Sequence, residues 1–419
     1  MDRIAAGGIH EPAGGAGRRL LLWILAVGAF TTALNVTLLS PLLVDIAADF
    51  GVSEAAAGQL ATLTAGSSGL MAVAVAPWLD RRSRGFWLRL ECALLALGTL
   101  LSALAPSFGW MFVGRAVAGI GGAVIGATCL AACGDLFAER GERNRALGLV
   151  NSAFTLGAVF GLPVLTLVAD RTDWRWAIAL PAPLAVLVFL GSFRLPRGAL
   201  AAGDGSPWRA WVEGYRGVLG SGETVWLLAA EIAFMIVWFG WLIYFGAFAE
   251  TVFAVGAGLL SVLFLAGGAA EMVGNNAAPP LLRSRSPRAV GYVAVAVGAV
   301  NLLLVGVAYE QRWTLFPFIA IGSAAGAVLF ICLNVALLDS LPSARGAVMS
   351  LQSACLELGG ALGVAATGVG LALLDDYEAT YRLLGAVMPV VAVFLLLSGR
   401  WRSAADEAAV VAASWVADG

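Results

Sequence analysis

Apolar residues in this chain come in long, nearly unbroken runs separated by short polar interruptions, with neither the alternation of a half-buried strand nor the narrow stripe of a surface helix. A bilayer core of ~30 Å takes about 20 apolar residues per crossing helix. Runs of that length occupy 20–43, 55–79, 86–105, 108–134, 146–168, 175–193, 224–248, 256–282, 289–308, 314–338, 346–374 and 381–399, and are numbered here as spans 1 to 12. The longest polar interruption, 194–222, divides them six and six. The pattern predicts an all-α polytopic membrane protein of 12 transmembrane helices. Its expected organisation is a tail (1–19), a six-helix bundle (20–193), a linker (194–223), a second six-helix bundle (224–399) and a second tail (400–419).

Composition sharpens this picture. The 419 residues are 60% hydrophobic and 12% charged, with a net charge of −2. Soluble domains carry about 25% charged residues. Nothing in this balance points to nucleic acid. All 25 basic residues are Arg, so a phosphate-binding loop that needs its lysine is excluded. The single histidine, His10, lies in the polar N-terminal tail, and no histidine metal or acid–base site is expected within the spans. Cys92, Cys129, Cys133, Cys332 and Cys355 all fall inside apolar runs, where small buried packing residues are expected rather than disulfides. The first residues carry no signal-peptide pattern, and the run from Leu20 is long enough to remain as a span. Twenty arginines flank the ends of the spans that share a side with the tails, against four on the other side. The positive-inside rule then places both termini in the cytoplasm.

The halves also resemble each other. "GAVIGATCLAACGD" (122–135) aligns with "GAVLFICLNVALLD" (326–339), and "NSAFTLGAVFG" (151–161) parallels "QSACLELGGALG" (352–363) with a one-residue slip. Both pairs fall in corresponding spans, 4–5 and 10–11. A duplicated unit in parallel orientation is a transporter arrangement, with the path between the halves.

Residues 76–85, "APWLDRRSRG", resemble the loop 2–3 signature of the major facilitator superfamily, Gly-x-x-x-Asp-Arg-x-Gly-Arg-Arg. Asp80, Arg81 and Arg84 match; Ala76, Ser83 and Gly85 depart from it. "RAVAGIGGA" from Arg115 is similar to the family's span 4 signature, and "GAVFGLP" (157–163) to the span 5 signature of its antiporters through Gly157, Gly161 and Pro163. "DWRWAI" (173–178) also fits, whereas the corresponding loop of the second half, "PPLLRSRSPRA", has lost the Asp. The resemblance covers essentially the whole chain. It implies the major facilitator fold, two pseudo-symmetric six-helix bundles, and a transporter that usually works as a monomer. It also implies a gating latch of Asp80, Arg81 and Arg84, with Asp135 as a second partner, since carboxylate–arginine bonds can favour one of two conformations. Topology anchoring by the same arginines is the plainer reading. Gly157, Gly161 and Pro163 are expected at an antiporter-type interface between halves, or in ordinary close packing.

Ionisable groups at membrane depth are costly and usually functional. Arg115 lies a turn or two inside span 4. At ~1.5 Å per residue, Glu231 lies roughly 10 Å into span 7, and Glu271 and Glu357 lie roughly 16 Å from the inner ends of spans 8 and 11. With no Lys or His at depth, carboxyls that take up and release a proton are the available coupling chemistry. Glu271, Glu357 and Glu231 are therefore the proton-coupling candidates, against structural pairing. Glu91 is expected at the interface, and Asp45 and Glu250 near the outer boundary. In span 7, Glu231, Phe234, Trp238, Trp241 and Phe245 share one helix face, which suits a lipophilic or aromatic cation or merely faces lipid. Asn35 and Asn275 complete the cavity candidates, ahead of Thr31, Thr32, Thr37 and Asn276. "GSSG" (66–69) has the form of an intramembrane protease motif, but a nucleophile needs a base at hydrogen-bond distance and none is available, so close packing is expected.

The expectation is a secondary transporter, a proton-coupled antiporter exporting small lipophilic compounds, cations among them, across a bacterial inner membrane. It would need no cofactor beyond the proton gradient, and its partners would be substrate, protons and lipid. Open alternatives are a proton-coupled uptake symporter, a sugar or metabolite efflux carrier, and a non-transporting membrane sensor. An enzyme is not expected.

Overall fold

In a computed structural model, residues 15–79, 81–137, 139–195, 207–341 and 345–400 are described. Among them, eleven helices are long and apolar enough to cross a membrane, and a twelfth, Pro287–Leu303, is apolar but shorter. In chain order, spans 1 to 6 are Gly17–Thr37, Glu54–Trp78, Arg84–Ala103, Phe108–Leu136, Gly141–Arg171 and Trp174–Ser192. Spans 7 to 12 are Gly222–Phe253, Ala257–Leu282, Pro287–Leu303, Arg312–Ser340, Ala347–Leu374 and Tyr377–Arg400. The chain is a multi-pass membrane protein.

Serine sets where several of these helices begin. The side chains of Ser53, Ser83, Ser107, Ser221 and Ser286 accept a hydrogen bond from the backbone N–H three residues on, at the starts of spans 2, 3, 4, 7 and 9. Each satisfies one of the donors that a helix start leaves free. Two spans depart from the continuous runs expected. Span 4 is broken into Phe108–Gly122 and Ile125–Leu136, just after the glycine-rich stretch Gly119–Gly122. Span 9 ends at Leu303 rather than near 308, because the chain turns at Gly306 with a φ of +74°, a backbone conformation that glycine adopts freely. Pro163, by contrast, sits inside an uninterrupted helix, Arg140–Arg171.

Two bundles assemble from these parts. In the first, span 1 packs on spans 5 and 6, and span 3 on spans 4 and 6; in the second, span 10 packs on spans 8 and 9, and span 7 on span 11. Spans 3 and 4 touch backbone to backbone: a Cβ on Gly98 would collide with the backbone of Ala118, and one on Gly114 would lie 2.6 Å from Ser102 N. Such small residues let membrane helices approach closely. The bundles meet along two seams, span 2 against span 11 and span 5 against span 8. A further helix, Pro207–Gly220, lies against the start of span 11 and the turn Ala76–Trp78, bridging the bundles on the side of the termini.

Candidate functional site

Between the bundles lies a cavity of about 530 Å³, counting its open mouth, walled by spans 1, 2 and 4 on one side and spans 7 and 11 on the other. Asn35, Thr64, Ser68 and Arg115 face it from the first bundle; Phe239, Ile243 and Glu357 face it from the second. Arg115 is fully buried. Its Nε donates to Thr64 Oγ1 (3.1 Å) and its Nη2 to Asn35 Oδ1 (3.2 Å), while Nη1 has no partner. Asn35 is held in turn by the closeness of span 4, since a Cβ on Gly122 would lie 2.8 Å from Asn35 Nδ2. Glu357 sits where span 11 crosses span 2: the Ser68 hydroxyl is beside its carboxyl, and a Cβ on Gly69 would lie 3.0 Å from Glu357 Cβ. Three residues singled out from the sequence, Asn35, Arg115 and Glu357, thus share one cavity.

Other candidates lie elsewhere. Phe234, Trp238 and Trp241 do not face the central cavity. They line a separate cleft inside the second bundle, with Asn301, Gly322 and Met388. The ring of Trp238 fills the space where Gly326 lacks a side chain, and Trp241 meets Phe318 edge-on. Span 7 is buried on both sides, so its aromatic stripe turns into its own bundle while Phe239 and Ile243 turn to the cavity. Glu231 is also outside the cavity. It is fully buried beside Gln352 of span 11, with neither carboxyl oxygen holding a well-formed hydrogen bond. Glu271 and Asn275 are half-buried on span 8 and do not line the cavity. Thr31, Thr32 and Thr37 bond to carbonyls of their own helix, as does Asn276.

Glu91 is not interfacial. It is 1% exposed, and its carboxyl lies beside the backbone N–H of Val124 at the break in span 4, with neither oxygen holding a well-formed hydrogen bond. At the end of the bundles nearest the termini, Arg84 Nε and Asp135 Oδ2 form a 3.0 Å ion pair, and Arg84 Nη1 donates to the Leu79 carbonyl (3.2 Å). Arg81 lies in the turn after span 2, while Asp80 falls outside the described residues. Gly157 and Gly161 pack on span 1 of their own bundle, against Phe30, Ala33 and Leu34. The seam with span 8 is carried instead by their neighbours: Val159 meets Gly268, and the Pro163 carbonyl accepts from Ser261 Oγ (3.5 Å). The "GSSG" stretch divides similarly, Gly66 and Gly69 toward span 11, Ser67 toward span 4 and Ser68 toward the cavity. All five cysteines are buried and unbridged.

Hydrogen bonds across the bundles cluster at the end away from the termini, and nothing in the sequence pattern singled them out. Ser40 Oγ donates to the Leu242 carbonyl (2.7 Å), and Tyr244 OH to the Ala55 carbonyl (3.2 Å). Glu54, on the first turn of span 2, accepts from Thr251 on one oxygen (2.9 Å) and from Tyr377 on the other.

Known proteins with this sequence pattern and shape can be set beside that geometry. The profile of the Major Facilitator Superfamily matches residues 25–364. The uncharacterized MFS-type transporter YwfA of Bacillus subtilis is 26% identical over 89% of this chain and 92% of its own. Puromycin resistance protein pur8 of Streptomyces alboniger is 39% identical, but over 24% of this chain and a fifth (20%) of its own length. Multidrug resistance protein Stp of Mycobacterium tuberculosis is 27% identical over 41% of this chain and 32% of its own. Among solved structures, a D-xylose-proton symporter superposes with a TM-score of 0.74 at 15% identity, covering 90% of this chain and 97% of that one. A bacterial homologue of the lysosomal transporter Spinster, inward-facing and unoccupied, superposes with a TM-score of 0.71 at 16% identity, covering 93% and 96%.

Proposed function

The chain belongs to the major facilitator superfamily, a family of transporters rather than enzymes, and on that premise we propose that it is a proton-coupled antiporter exporting small lipophilic compounds, cations among them. One observation carries this reading: a carboxyl, Glu357, opens onto a largely apolar cavity at the seam of the two bundles. An acid there can be claimed by a proton or by a cationic substrate, but not by both. Proton entry from the outer side would neutralise Glu357 and release the outgoing compound, and loss of that proton inside would reset the site. The drug-resistance names of two relatives support the substrate class, over the limited stretches they share. No bound cofactor is needed, because the gradient supplies the work. We place both termini in the cytoplasm on the arginine asymmetry of the sequence, and the family and its bacterial relatives support a monomer in a bacterial inner membrane.

Inverted vesicles carrying the purified protein test this. An imposed proton gradient should drive ethidium or tetraphenylphosphonium into vesicles containing the wild-type chain, and Glu357→Gln should abolish the gradient-driven component. Accumulation that ignores the gradient, or survives Glu357→Gln, overturns the antiport reading; accumulation in right-side-out vesicles only would make the protein an uptake symporter.

A further inference from the structure

Span 2 acts as a ruler between two unpaired charges. Thr64 and Ser68 are four residues apart on it, a rise of ~6 Å, and so lie on the same face one turn apart. Thr64 holds the Arg115 guanidinium through Nε, and Ser68 stands beside the Glu357 carboxyl. Neither charge has an ion-pair partner among the described residues; the partners of Arg115 are the neutral Thr64 and Asn35. Arg115 Nη1 is buried with no acceptor at all. A buried donor left in that state costs free energy that an incoming acceptor recovers. Opposite stand Phe239 and Ile243.

We propose that the cavity selects lipophilic amines that also carry an acceptor oxygen about one helical turn from the basic nitrogen, the nitrogen placed on Glu357 and the oxygen on Arg115. This rests on the reading of the cavity as the substrate site. A simple lipophilic cation satisfies Glu357 and leaves Arg115 Nη1 empty; a neutral carbonyl compound does the reverse. A ligand with both groups also joins the two bundles, because Arg115 belongs to one and Glu357 to the other. It therefore binds best when the bundles are drawn together around it.

Three matched probes test the proposal on the purified full-length protein, with binding measured by thermal shift and equilibrium dialysis in the absence of any gradient. They are 2-(diethylamino)ethyl benzoate, with amine and carbonyl; N,N-diethyl-4-phenylbutylamine, with amine only; and butyl benzoate, with carbonyl only. The wild-type protein should bind the first at least tenfold more tightly than either of the others. Its advantage over the amine-only probe should vanish in Arg115→Gln, and its advantage over the carbonyl-only probe in Glu357→Gln. Equal binding of the first two probes by the wild-type protein overturns the proposal, whether or not the Arg115 variant folds. So does binding of none of the three, or an advantage that survives Arg115→Gln. If the binding pattern holds while proton-driven flux is absent in vesicles, the antiport reading fails and the selectivity stands. If Glu357-dependent flux carries the amine-only probe as well as the bifunctional one, the reverse is true.

Discussion

An ionisable side chain in an apolar helix is legible in a sequence because it is out of place; Arg115 and Glu357 stand out in that way, and with the amide of Asn35 they line one cavity. What the anomaly cannot tell is which way a side chain turns. Phe234, Trp238 and Trp241 share a face with Glu231, but span 7 is buried on both sides, so hydropathy gives no sign of which face meets the cavity. Thr64 is passed over for the opposite reason, and Ser68 stands out only within the "GSSG" stretch, where close packing is expected: a hydroxyl in a membrane helix is common, and most of them simply bond to their own helix. Glu91 gives the sharpest single-residue prediction. Its carboxyl stands beside the Val124 N–H that the break in span 4 frees from the helix ladder. Both its oxygens are buried without a well-formed hydrogen bond, so Glu91→Gln should melt within about 1 kcal/mol of the wild type, and Glu91→Leu, which takes an unsatisfied carboxyl out of an apolar setting, should melt at or above it. Thermal unfolding of the two variants in detergent decides it. Outside the spans, partial burial and then the charges of Asp173 and Asp170 hold the Asp45 carboxyl above its usual range. A carboxyl displaced upward binds its proton more tightly in the folded protein, so its ionisation is a penalty that is absent below its ordinary value of 3.8 and grows as pH rises. Asp45→Asn should therefore melt higher than the wild type at pH 7.5, with the difference shrinking toward pH 4 when melting is followed across that range.

Helices and their order were readable with little error, since ~20 apolar residues leave few other structures in a bilayer. Their interruptions were less so. Nothing in hydropathy separates Phe108–Gly122 from Ile125–Leu136, because the break replaces no apolar residue with a polar one. The partners of each helix were also hidden: Gly157 and Gly161 look equally suited to either neighbour, and their positions around span 5 turn them to span 1 while Val159 and Pro163 face span 8. Close helix contacts make the strongest element-scale prediction. A side chain at Gly98 meets backbone atoms of span 4, which cannot rotate aside as a side chain can. Gly98→Leu should destabilise the first bundle by about 1–3 kcal/mol or more, and should lower folded yield in a detergent-screened size-exclusion profile. Gly134→Ala, which meets nothing within 4 Å, should leave the same profile unchanged.

At the scale of the molecule, the two bundles are joined by helix Pro207–Gly220 near the termini and by a belt of hydrogen bonds at the opposite end. Removing one donor from that belt should favour separation there. Tyr377→Phe is therefore expected to raise the labelling rate of a cysteine placed at Gln59 by a membrane-impermeant maleimide several-fold, with Thr251→Ala adding to it. The way Glu54 is held has a kinetic corollary. One carboxylate grips spans 7 and 12 at once, a separate oxygen for each. Parting the bundles must release both grips nearly together, since either one left in place still tethers span 2. The expected consequence is a concerted, steeply temperature-dependent unlocking at the rim away from the termini, so that cooling should slow turnover more than it slows the binding of cargo.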